Sequence, residues 1–182
     1  MKKRGDAIVL IGFMGAGKSS VGRTLARLTG LGRFDTDEMI ANRFGLSISE
    51  IFEAQGEEKF REAETETLRE LVGRGQAIIV TGGGIVLRKE NVDLLRELGA
   101  IFYLSADEDT LFARISRRTT RPLLQTADPR ATLKKLLAAR LPLYRSAADV
   151  EVDTSRLKHE EVARKILENL EDDDRGKVNA EG

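Results

Sequence analysis

A chain of 182 residues has room for one domain with a real core, and 41% hydrophobic against 33% charged residues is an ordinary globular balance. Lysine and arginine total 30, as do aspartate and glutamate, so the basic excess typical of nucleic-acid binders is missing. With no cysteine, disulfides, thiolate zinc sites and a cysteine nucleophile are excluded, and the thiol-free composition fits the cytosol.

Met1-Lys2-Lys3-Arg4 resembles the charged start of a signal sequence. The apolar run behind it, Ala7 to Ile11, is too short for one and leads straight into glycines. No apolar run approaches the ~20 residues that span a bilayer, so a cytoplasmic protein without a membrane partner is expected. Ala7-Ile8-Val9-Leu10-Ile11 is continuous and rich in β-branched residues, as a strand buried on both faces would be. After a glycine-rich turn, Lys18 to Thr29 places Val21, Leu25 and Leu28 at helical spacing. Phe34-Asp35 ends a short second strand. Asp37 to Phe44 and Ser47 to Gln55 follow as short helices divided by Gly45, and Ser47 with Glu50 has capping-box spacing.

Glu57 to Val72 is a longer charged helix closed near Gly73 and Gly75. Ala77 to Thr81 is another buried-type strand, ending in Gly82-Gly83-Gly84. Asn91 to Leu98 reads as helix, Ala100 to Leu104 as strand and Asp107 to Arg117 as helix. Thr119 to Asp128 reads as an exposed loop. Pro129 to Leu141 is helical, with Pro142 expected to kink or end it. Val150 to Val152 is a short last strand and Glu160 to Leu170 an amphipathic closing helix. Residues 171–182 are polar and expected to be a disordered tail. Strands and helices alternating at this spacing imply one α/β domain over 1–170, its parallel sheet covered on both faces.

Gly12-Phe13-Met14-Gly15-Ala16-Gly17-Lys18-Ser19 fits the P-loop pattern, with a buried strand before it and a helix after it. Glycines let backbone wrap closely around phosphate, and the N–H groups at a helix N-terminus face the anion. Lys18 would bridge the β and γ phosphates, Ser19 would ligate magnesium, and Gly12, Gly15, Ala16, Gly17 and Ser20 complete the expected ATP contacts. No Asn-Lys-x-Asp guanine motif is present, and the Ala77–Thr81 strand ends without a Walker B aspartate. The second oxygen for magnesium must come from elsewhere, and Asp35 or Asp37 is the nearest candidate.

Further patterns read together as an acceptor pocket. Asp35 and Asp37 stand two residues apart, on one side of the chain if extended; taken alone, such a pair is usually a solvated turn. Arg61 and Glu64 have the i,i+3 spacing of a surface ion pair worth a few tenths of a kcal/mol. Gly82-Gly83-Gly84 at a strand's carboxyl end allows close backbone approach to a ligand, where open α/β sheets bind them. Arg114, Arg117, Arg118, Arg121, Arg140 and Arg145 form an arginine-rich group whose planar forks suit phosphates and carboxylates, and a mobile loop carrying Arg121 can close over phosphate.

Gly-x-x-Gly-x-Gly-Lys-Ser at Gly12, Asp-Thr-Asp at Asp35, Phe-Arg-x-x-Glu at Phe60, Gly-Gly-Gly at Gly82, Arg-Pro-Leu-Leu at Arg121 and Arg-x-Pro-Leu-Tyr at Arg140 occur in the order found in shikimate kinases. Each is modest alone; in series, from Ile8 to Leu170, the chain resembles that family throughout. The resemblance implies a three-layer α/β/α P-loop kinase fold with a five-stranded parallel sheet in order 2-3-1-4-5 and a lid over about 114–128. It implies phosphorylation of the 3-hydroxyl of shikimate by ATP with magnesium, by a monomer acting on small molecules. By position, Asp37 resembles the aspartate on the reacting hydroxyl. Arg61 and Arg140 resemble the pair gripping the carboxylate, and Gly82, Gly83 and Gly84 lie beside the same ligand. Arg121 resembles the lid arginine near the γ-phosphate, and Asp35 the acid holding magnesium through water. Arg114 and Arg156 match arginines flanking the adenine. The rival expectations are another small-molecule kinase, such as a gluconate or nucleoside-monophosphate kinase, and a non-catalytic nucleotide-binding module.

Overall fold

A computed structural model describes residues 5–116 and 127–180, with backbone alone for 172–180. Five strands, β1 (Ala7–Ile11), β2 (Arg33–Asp35), β3 (Ile78–Val80), β4 (Gly99–Ser105) and β5 (Val150–Asp153), form one sheet in the order β2-β3-β1-β4-β5. Every pairing is parallel, with Val9 in register with Ile79 on one side and Ile101 on the other. All five residues of β1 are buried. A central parallel strand has helices over both faces, which is why its sequence is unbroken apolar rather than alternating.

The helices are α1 (Lys18–Thr29), α2 (Thr36–Phe44), α3 (Ile48–Leu71), α4 (Lys89–Leu98), α5 (Glu108–Ser116), α6 (Pro129–Ala147) and α7 (His159–Ala180). Asp35 caps α2 by accepting from the Asp37 N–H, and Ser47 with Glu50 closes the expected capping box on α3. The two helices expected on either side of Gly56 are both present within α3 and meet at a kink there, where Gly56 takes the non-helical φ 80°, ψ 168°. That conformation suits a residue without Cβ. The C-terminal half of α3 packs Leu68 and Leu71 into the main core, while Ile51, Phe60 and Ala63 join Ile40 of α2 in a second, smaller cluster.

Three elements differ from expectation. Pro142 does not end α6, which continues to Ala147. Tyr144 and Ala147 are buried beyond the proline, and that packing outweighs the N–H lost at one interior position. A 3₁₀ turn at Ile85–Leu87 follows the glycines. The closing helix runs past Leu170 as helical backbone to Ala180; no glycine or proline interrupts it before Gly176. Most of the expected exposed loop, including Arg121, lies outside the described residues, as do Arg117 and Arg118. No described helix is long and apolar enough to cross a membrane.

Candidate active site

The sheet delivers its carboxyl ends to one cleft of about 470 Å3. β1 stops at Ile11, and Gly12, Gly15 and Gly17 turn the chain into α1 with φ of 143°, 82° and 95°. A Cβ on Gly12 would lie 2.4 Å from the Leu104 carbonyl oxygen, so the loop is closed against β4. Lys18 is buried and its Nζ donates to the carbonyls of Gly12 (2.7 Å) and Phe13 (3.0 Å). It thus lies folded along the loop it serves. Ser19 and Ser20 line the cleft beside it.

The Ser19 hydroxyl donates to Asp35 Oδ2 at 3.3 Å, and Arg33 Nη1 donates to the same oxygen at 3.1 Å. Asp35 ends β2 next to β3, so the parallel register brings this acid beside the phosphate loop. Among the described residues no three His, Cys, Asp or Glu side chains gather as a metal site. Ser19 offers a hydroxyl and Asp35 a carboxylate within 3.3 Å of each other, a donor set that suits magnesium, which keeps several waters and takes further oxygens from phosphates.

The acceptor side is built on Gly82-Gly83-Gly84. Thr81 Oγ1 donates to the Leu10 carbonyl at 2.9 Å and the Gly82 N–H donates to Thr36 Oγ1 at 3.3 Å, tying the strip to β1 and α2. A Cβ on Gly82 would stand 2.5 Å from Asp37 Oδ1 and 3.2 Å from Glu64 Oε1. One on Gly84 would stand 2.3 Å from Arg61 Nη1. These glycines leave space for an acid pair and a guanidinium, which is the close approach expected of them.

Arg61 and Glu64 correct the sequence reading. Their pair is not a surface bridge: Nη1 donates to Glu64 Oε2 at 2.7 Å, with side-chain exposures of 10% and 0%. Arg61 also donates to Glu57 at 3.0 Å and lies over the rings of Phe60 and Phe52 at 5.4 and 5.9 Å. The second cluster therefore holds the guanidinium in place. Burial pushes the Glu64 pKa up to about 7; Arg61 opposes the rise and Asp37 adds to it. Glu64 Oε1 is buried with no hydrogen bond among the described residues.

From α6, the buried Arg140 donates through Nη1 to the Gly83 carbonyl at 3.4 Å and lies over the Phe13 ring at 5.8 Å. Tyr144, one turn on, donates its hydroxyl to the same carbonyl. Arg61 and Arg140 thus meet the glycine strip, though neither forms the cleft wall that Asp37, Gly82 and Gly83 line.

At the other end Arg114 lines the cleft and donates to the carbonyls of Gly15 (3.3 Å) and Thr154 (2.7 Å). Arg156 is exposed and does not line it. His159 does line it, its ring Cδ2 and Nε2 each 3.6 Å from a Cβ built on Gly17. Partial burial, then Arg114 and Arg23, hold its pKa down. Arg145 is a surface partner of Glu151 at 3.1 Å. Sequence reasoning missed His159, Thr81 and Tyr144, and named Glu64 only as the ion-pair partner of Arg61. Tyr144 sits inside a motif already recognised; a lone histidine carries no pattern.

The profile of the shikimate kinase family matches residues 14–171. A shikimate kinase of Thermodesulfovibrio yellowstonii is 46% identical over 171 residues, covering 94% of this chain and 98% of the relative. One of Halorhodospira halophila is 47% identical over 164 residues, covering 90% and 93%. Among solved structures, shikimate kinase from Acinetobacter baumannii in complex with shikimate superimposes with a TM-score of 0.88 at 37% identity, over 94% of this chain and 96% of the other.

Proposed function

The chain belongs to the shikimate kinase family, and on that premise we propose that it transfers the γ-phosphoryl group of ATP to the 3-hydroxyl of shikimate, giving shikimate 3-phosphate and ADP in the shikimate pathway of aromatic amino-acid biosynthesis. The observation that carries this is one cleft with the phosphate loop on one wall and Asp37 with Gly82 and Gly83 on another, backed by Arg61 and Arg140. The cysteine-free composition supports a cytoplasmic setting.

Phosphoryl transfer asks a protein mainly for alignment and charge stabilisation. Lys18 exchanges its carbonyl partners for the β and γ phosphates, an exchange of acceptors that keeps the ammonium solvated by oxygen throughout. Ser19 and Asp35 would hold magnesium, directly and through water respectively. Bound there, the ion neutralises charge on the phosphate oxygens. Asp37 orients the attacking hydroxyl and receives its proton late, as a loose transition state permits. The forks of Arg61 and Arg140 receive the shikimate carboxylate, so that an acceptor without that acid forgoes these charge-assisted hydrogen bonds. Arg114 flanks the adenine, with Arg156 proposed beside it on resemblance alone. Arg121, outside the described residues, is assigned on the same ground to the γ-phosphate.

A coupled ADP-release assay with and without shikimate tests the proposal. Release that rises with shikimate and not with gluconate is expected; ATP binding with no acceptor-dependent turnover would refute it.

A further inference from the structure

The Gly83 carbonyl receives two donors from α6, the Tyr144 hydroxyl and Arg140 Nη1, one helical turn apart. On its other side Gly83 abuts the phosphate loop: a Cβ there would lie 3.4 Å from Met14 N and 3.7 Å from the Gly12 carbonyl oxygen. Tyr144 is fully buried and stacks on Tyr103, ring centroids 5.0 Å apart and 15° from parallel. This packing fixes the ring, so its hydroxyl has a defined direction.

We propose that Tyr144 is a positioning residue for the acceptor, holding the Gly83 carbonyl and the Arg140 guanidinium in the arrangement that receives shikimate. This deepens the proposed function and rests on it. Burial pushes the phenol well above its usual range, with the positive charges of Arg140 and Arg61 opposing that shift. The hydroxyl therefore stays a donor at every working pH, and both arginines assigned to the acceptor carboxylate act on it. A carbonyl has two acceptor positions. With Tyr144 occupying one, Arg140 spends a single N–H on Gly83, and its contact with the Tyr144 hydroxyl fixes how its other donors face a carboxylate. Without the hydroxyl, the guanidinium is free to rotate onto the vacated position, and Gly83 is free to shift against Met14.

The test is steady-state kinetics of Tyr144→Phe, which keeps the ring and its stack, beside Tyr103→Phe as a control on the stack. A lost neutral hydrogen bond of ordinary strength predicts a shikimate KM raised by roughly three- to tenfold. KM for ATP is expected within about twofold of wild type, and the melting temperature close to it. Tyr103→Phe should leave the shikimate KM unchanged. An unaltered shikimate KM in Tyr144→Phe would overturn the proposal, as would equal rises for both substrates or an equal effect of Tyr103→Phe. Wild-type enzyme that ignores shikimate would instead sink the acceptor assignment, and this proposal with it.

Discussion

Replacing Glu64 by Gln isolates a proton that the fold itself binds. Glu64 is 0% exposed, and its pKa rises from 4.5 to about 7, chiefly through burial. Because the folded-state value is the higher one, the folded protein retains the proton at pH values where the unfolded chain has released it. The stability this contributes is complete below about pH 4.5 and is lost as pH climbs through about 7. Evaluating the linkage between pH 5 and 8 gives a loss on the order of 2–3 kcal/mol. For a domain of this size that is roughly 5–10 °C in melting temperature. Gln has the shape of the protonated acid and still accepts from Arg61 through its carbonyl. Glu64→Gln should therefore track wild type at pH 5 and become the more stable protein by pH 8. Urea unfolding of both proteins without substrates at pH 5, 6, 7 and 8 reads the difference directly. Two parallel pH profiles would refute the argument, since they would mean that Glu64 ionises alike in the folded and unfolded chains.

Lys18→Ala should lower ADP release by roughly a hundredfold or more, the scale of losing a preorganised charge at a transferring phosphate; a near-wild-type rate would remove Lys18 from the chemistry. Arg61→Ala should raise the shikimate KM steeply while ATP affinity, read by nucleotide titration, stays close to wild type. An equal fall in ATP affinity would make Arg61 a structural residue. Gly84→Ala puts a methyl 2.3 Å from Arg61 Nη1, which forces the guanidinium out of its ion-paired position, so acceptor affinity should fall. An unchanged shikimate KM in that variant would count against the guanidinium's role.

Much of the fold was legible because its signals are local. The unbroken apolar run of β1, the turn glycines and the Ser47–Glu50 capping box each state their structure within a few residues. So does the phosphate loop. Pro142 misled because helix propensity is local while the burial of Tyr144 and Ala147 is tertiary. The Arg61–Glu64 pair misled for a related reason: i,i+3 spacing says that two side chains meet, not that Phe60 and Phe52 cover them. Arg140 was found through its motif, yet nothing in the sequence reveals that it shares the Gly83 carbonyl with Tyr144. His159 reaches the cleft only because α7 begins beside Gly17, a juxtaposition across more than a hundred residues.

The small cluster of Ile40, Ile51, Phe60 and Ala63 stands apart from the main core, and Arg61 sits where the two territories of α3 join. The phosphate loop and the glycine strip are thus anchored in the sheet and main core, while Arg61 alone among the acceptor residues rests on a handful of side chains near the Gly56 kink. Units of that size open at a fraction of the global unfolding free energy. Changes of packing at Ile51 or Phe60 can retune the grip on the acceptor while leaving the strands beneath the phosphate loop as they are.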